Sequence, residues 1–170
     1  LACSGAMTTS FVNTYGRAKP GIDFASTQTP GGLKFVGQAQ LLQDFAKDHD
    51  VKAVALSIGG NDLGFADIIA TCLTDWIVDT KCSNSDFIAA RINPAVKKII
   101  TNRVFAAIEN VNQAMTKAGY KPDQWRLMVQ LPPSPVPPAE LASYPDVGFS
   151  RQILGGCGML DADLNFANDT

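Results

Sequence analysis

Residues Val51 to Ile58 make a β-branched, largely apolar run of strand length that passes directly into Gly59-Gly60-Asn61-Asp62-Leu63-Gly64-Phe65. A strand without alternating polar residues is suited to burial on both faces, as in a parallel sheet. The residues that follow such a strand sit at the carboxyl edge of the sheet, where open α/β folds place their ligand sites. Gly59 and Gly60 allow close backbone approach there. Asn61 presents a neutral amide donor that needs no proton exchange, a group suited to a developing oxyanion in acyl transfer. Asp62 reads as a helix cap or loop brace. On these four residues alone, a turn-forming Asn61 and a capping Asp62 are the better account.

The surrounding chain alternates helix and strand signals. Residues 1–33 are rich in Ser, Thr, Gly and Pro; TQTPGG at 27–32 reads as loop, and only the first few residues resemble the end of a strand. Leu33 to Asp48 carries Phe35, Val36, Ala39, Leu42 and Ala46 at helical spacing and predicts an amphipathic helix. Phe65 to Leu73 predicts a short helix. Asn93-Pro94 opens a long one, with Val96, Ile100, Val104, Ala107, Val111 and Met115 recurring at threes and fours until Gly119. Arg126 to Leu131 is the next strand. The order predicts an α/β fold, a three-layer α/β/α sandwich with a mostly parallel sheet, in one domain over residues 1–170. LPPSPVPP at 131–138, with five prolines, is expected as a stiff loop at the carboxyl edge of the second strand.

Composition narrows the function classes. The 170 residues suffice for a real core, and 46% hydrophobic with 18% charged is ordinary for a globular chain. No apolar run approaches the roughly 20 residues of a membrane span, so no transmembrane segment is expected. A net charge of −2 with scattered Lys and Arg leaves no electrostatic footprint for nucleic acid.

Cys72 and Cys82 suit a local disulfide closing a surface loop. Cys3 and Cys157 could pair with each other or with cysteines beyond the given ends. With one histidine and no C-x-x-C, a zinc site has too few ligands, and the even cysteine count favours an oxidising, extracytoplasmic setting. That histidine, His49 in AKDHDVK, is placed by the pattern at a helix C-terminus and the amino end of the Val51–Ile58 strand, facing away from Asn61. Ser4, Ser57 and Ser134 lack the strand-turn-helix setting of a nucleophile elbow, and none is nominated.

LACSGA at 1–6, followed by LSIGGNDLGFADIIATC, closely resembles the SGNH (GDSL-type) hydrolases, in particular the secreted actinobacterial lipase and esterase group. The resemblance continues through PPSPVPP, YPDVGFSRQ at 144–152 and GGCGMLDADLNFAND at 155–169, and is poor over 7–37. It implies a flavodoxin-like sandwich and a serine ester hydrolase working through an acyl-enzyme. The oxyanion hole would be formed by the Gly5 backbone N–H and the Asn61 side-chain amide. It further implies that the nucleophilic serine, in a G-D-S block, and the base, a histidine in a D-x-x-H block, lie outside residues 1–170. Cys3 would then pair upstream and Cys157 downstream. The implied partner is a small-molecule or lipid ester substrate, with no metal or organic cofactor, and the protein is expected to be a monomer. Leu63, Phe65, Trp76 and Ile77 are candidate walls of an acyl site, with core packing the stronger expectation. Two other functions fit the same pattern: a non-catalytic carbohydrate- or surface-binding module that keeps the loop as scaffold, and a carbohydrate (acetyl) esterase.

Overall fold

The computed structural model describes residues 2–131, 134 and 136–169. The chain divides into two compact units, the first of residues 1–62 and 98–131, the second of residues 63–97 and 132–170.

The first unit begins with two small hairpins. Strands β1 (Phe11–Val12) and β2 (Ala18–Lys19) pair antiparallel around a turn in which Asn13 Oδ1 accepts the N–H groups of Tyr15 and Arg17. Strands β3 (Ser26–Gln28) and β4 (Lys34–Val36) pair antiparallel in turn. Helix α1 runs Gln38–Asp48, so the helix expected from Leu33 starts later. The physical reason lies at Gly37. It packs so tightly on Asp23 that a Cβ there would come within 2.1 Å of the Asp23 carbonyl oxygen. Its N–H also completes the hairpin by donating to Ala25 O at 2.9 Å. Pairing with β3 thus overrides the helical spacing of Phe35 and Val36. The start of the chain is also not the end of a strand: residues 3–6 make a turn.

Strand β5 (Ala53–Leu56) and strand β6 (Arg126–Val129) pair in parallel, with Ala53 opposite Arg126 and Leu56 opposite Val129. Between them in sequence runs helix α4 (Pro94–Lys117), whose residues from Lys98 onward belong to this unit. Its Ala107, Val111, Ala114 and Met115 recur at helical spacing and meet Ala39, Leu42 and Ala46 of α1 in one apolar core, with Ile22, Leu56 and Trp125. Each large side chain buried this way contributes about 1.5–3 kcal/mol. Tyr120 closes the unit by donating its hydroxyl to His49 O and accepting the Val51 N–H at 2.8 Å. The parallel pair and its helices give the mixed α and β architecture expected.

The second unit is helical among its described residues. Helix α2 spans Phe65–Ile77, one turn beyond the expected end at Leu73. Helix α3 (Asp86–Ile92) precedes the start of α4, where Asn93 Oδ1 accepts the Val96 N–H at 3.0 Å, an N-cap beside Pro94. Helices α5 (Ser150–Leu154) and α6 (Asp161–Asp169) follow. Cys72 and Cys82 are disulfide-bonded, their Cα atoms 4.8 Å apart, and pack with Ile88, Met159 and Leu164 in a second core. The Asp163 carboxylate, 1% exposed, accepts the N–H groups of Cys82 and Ser83. Arg151, 2% exposed, donates to Tyr144 O, Met159 O and Asp161 Oδ1. The proline-rich loop expectation falls largely on Pro132, Pro133 and Pro135, which lie outside the described residues.

Candidate functional site

The site is built from two segments of the first unit. Residues 3–6 form a turn closed by Ala6 N–H donating to Cys3 O at 3.2 Å, with Gly5 at φ +74°. That value lies in the left-handed region, which favours glycine at the third position of such a turn. The second segment is the loop leaving β5. Gly59 adopts φ +110°, and a Cβ on it would meet Val104 Cγ2 at 3.1 Å. Gly60 takes no such conformation and has open space around it, so only the first of the two glycines is required by the backbone.

Asn61 and Asp62 both reach back to the N-terminal segment. Asn61 Nδ2 donates to Ala6 O at 2.8 Å, across 55 residues. An amide NH₂ carries two hydrogens, and the second remains to serve another acceptor. Asp62 accepts from Thr8 twice, N–H to Oδ2 at 2.9 Å and hydroxyl to Oδ1 at 2.6 Å. Asp62 is thus a loop brace and not a cap; the residue before α2 is Gly64, in the left-handed region. The structure therefore brings the Asn61 amide against the turn that contains Gly5, and both residues are exposed.

Lys19 is a third member that the sequence pattern did not reveal. Its Nζ donates to Ser4 O at 2.8 Å and lies beside Gly5, where a Cβ would meet it at 3.2 Å. The Lys19 ammonium is a positive charge at the Ser4–Gly5 peptide. The hairpin register sets Lys19 opposite Phe11, so the contact with Ser4 comes from tertiary folding and had no signal in the sequence.

His49 follows α1, its Nδ1 2.9 Å from Phe45 O and its ring stacked on Phe45 at 3.8 Å. It precedes β5, whereas Asn61 follows that strand, so the two stand at opposite ends of β5 as expected. Ser134 Oγ donates to Val136 O, and Ser57 is exposed just beyond β5. Leu63, Phe65, Trp76 and Ile77 belong to the second unit, where Ile77 is exposed and Trp76 Nε1 is buried without a partner. Among the described residues no three His, Cys, Asp or Glu side chains gather as a metal site, and no helix is long and apolar enough to cross a membrane. Cys3 and Cys157 are each free of a disulfide.

Against known proteins, the chain matches no family model, no curated protein and no solved structure.

Proposed function

We propose that this chain is the oxyanion-binding part of a secreted serine ester hydrolase of SGNH type, built on a three-layer α/β/α sandwich. The observation that carries the proposal is the Asn61 Nδ2 hydrogen bond to Ala6 O. It holds a neutral amide donor beside the turn that contains Gly5, whose backbone N–H would be the second donor, and an amide NH₂ has a second hydrogen that could serve a ligand oxygen. A tetrahedral intermediate would be stabilised by these two donors, with the Lys19 charge nearby adding to the positive potential. Attack and proton transfer require a serine and a histidine supplied from outside residues 1–170, because His49 stands at the far end of β5 and none of Ser4, Ser57 and Ser134 is bonded to it.

One observation favours a second proposal, a non-catalytic binding module. Asn61 and Asp62 both spend hydrogen bonds on residues 6–8, which is what a purely structural clamp would do. Labelling with a fluorophosphonate separates the two. The 170-residue chain alone should not label, whereas a hydrolase that includes its own G-D-S and D-x-x-H blocks should. Flanking sequence without those blocks would leave the binding module standing.

A further inference from the structure

Two hydroxyl residues of the first unit grip a carboxylate in the same way. Thr8 donates its N–H to Asp62 Oδ2 and its hydroxyl to Asp62 Oδ1. Ser10 donates its N–H to Asp23 Oδ2 and its hydroxyl to Asp23 Oδ1. A carboxylate held at both oxygens has its plane fixed, where a single bond would let it swing. The two clamps differ in what they hold. Asp62 follows Asn61 directly, whereas Asp23 lies against Gly37 and its carbonyl accepts the Ala39 N–H at the start of α1.

Thr8 is also tied on its other side. Its carbonyl accepts the Ile22 N–H at 3.1 Å, and the Ile22 carbonyl accepts from Asn110 Nδ2 of α4 at 2.8 Å. Ile22 is itself part of the apolar core. Every polar group of Thr8 is thus engaged, and a hydrogen-bonded path runs from α4 through Ile22 and Thr8 to Asp62, the neighbour of Asn61. Only Met7 separates Thr8 from Ala6, the acceptor of the Asn61 amide. One short segment therefore carries both sides of the site, the Gly5 turn by continuity of the chain and the Asn61 loop by the clamp.

We infer that Thr8 is a positioning residue for Asn61: its hydroxyl, acting through Asp62, fixes where the Asn61 amide stands relative to the Gly5 turn. The hydroxyl touches no substrate. Its catalytic consequence rests on the proposed ester hydrolysis, while the positioning of Asn61 does not. Oxyanion donors act only when held at hydrogen-bonding distance from the place where the charge develops. A small displacement of Asn61 is therefore expressed in turnover and not in substrate affinity.

Thr8→Val keeps the N–H bond and the side-chain shape but removes the hydroxyl bond, and Thr8→Ser keeps both donors. Ser10→Ala is the matched control, because it breaks the same kind of bond at the clamp that holds Asp23. Exchange of the Asn61 side-chain amide hydrogens should quicken about threefold or more in Thr8→Val and stay unchanged in Thr8→Ser and Ser10→Ala. In an active hydrolase containing this chain, Thr8→Val should lower kcat about tenfold with KM unchanged. Thr8→Ser should retain kcat, and Ser10→Ala should lower the melting temperature without lowering kcat. Unchanged Asn61 exchange in Thr8→Val would overturn the inference, as would an equal fall in kcat for Ser10→Ala, the mark of general loosening. Quickened exchange in Thr8→Val alone, with ester turnover absent or unaffected, would overturn the oxyanion reading and leave Thr8 as the residue that positions Asn61.

Discussion

Asp62 holds Thr8 at two points across 54 residues, accepting its N–H at 2.9 Å and its hydroxyl at 2.6 Å. Thr8 is 2% exposed, so its polar groups depend on this carboxylate for the partners that water would otherwise provide. Asn61 adds a neighbouring bond to Ala6 O. The polar pair after Gly59-Gly60 therefore ties the β5 exit to the start of the chain, and any oxyanion chemistry is built on top of that tie.

Asp62→Ala should destabilise the protein by about 1–3 kcal/mol, the cost of leaving a buried donor unpaired. The denaturant midpoint should fall with the slope unchanged. Thr8→Val combined with Asp62→Ala should cost less than the sum of the two single changes, because both remove the hydroxyl bond to Asp62 Oδ1. Additive losses would mean that the two residues act independently.

Asn61→Ala separates structure from catalysis. Loss of a hydrogen bond at an exposed residue should lower stability by only about 0.5–1.5 kcal/mol. In an active hydrolase containing this chain, ester turnover should fall by roughly 10²–10³-fold, as for removal of one oxyanion donor. Unchanged turnover would leave Asn61 as a loop tie alone.

Lys19→Met tests the charge beside Gly5. With Lys19 contributing to the potential at the oxyanion, turnover in the active protein should drop and its sensitivity to salt should diminish, since screening acts on the charge that has been removed. A loss of turnover with the salt dependence intact would assign Lys19 only the positioning of the Ser4 carbonyl.

The second unit depends on Cys72–Cys82 and on Asp163. Replacing both cysteines by alanine should cost about 2–4 kcal/mol. Asp163→Ala strips the Cys82 and Ser83 N–H groups of their shared acceptor and should cost a further 1–3 kcal/mol or so by unpaired burial. Calorimetry of the variants checks both, and an unaltered melting temperature for Asp163→Ala would show that water replaces the carboxylate.

Gly37→Ala should be among the most damaging single changes in the first unit, because its Cβ would overlap Asp23 backbone and carboxylate. The expected loss is about 1–3 kcal/mol or more. Amide exchange should quicken in β3 and β4 before α1.

Short-range sequence signals determined the elements whose stability is local. Val51 to Ile58 reads as a strand and contains β5; Ala39, Leu42 and Ala46 mark the buried stripe of α1; Asn93-Pro94 and Gly119 bound α4 because a cap, a fixed φ and a helix stop are written in residues a few positions apart. The Cys72–Cys82 pairing was legible for the same reason, ten positions being a short loop. Tertiary structure decided whatever depends on a distant partner. Lys34–Val36 became a strand because Ser26–Gln28 lies across from it, and α6, polar in DADLNFAND, is anchored where Asp163 reaches Cys82 81 residues away. The meeting of Asn61 with Ala6, and of Lys19 with Ser4, likewise belongs to the folded chain. Hydrophobic spacing reports which face of an element is buried; it carries no record of which remote donor or backbone that face will meet.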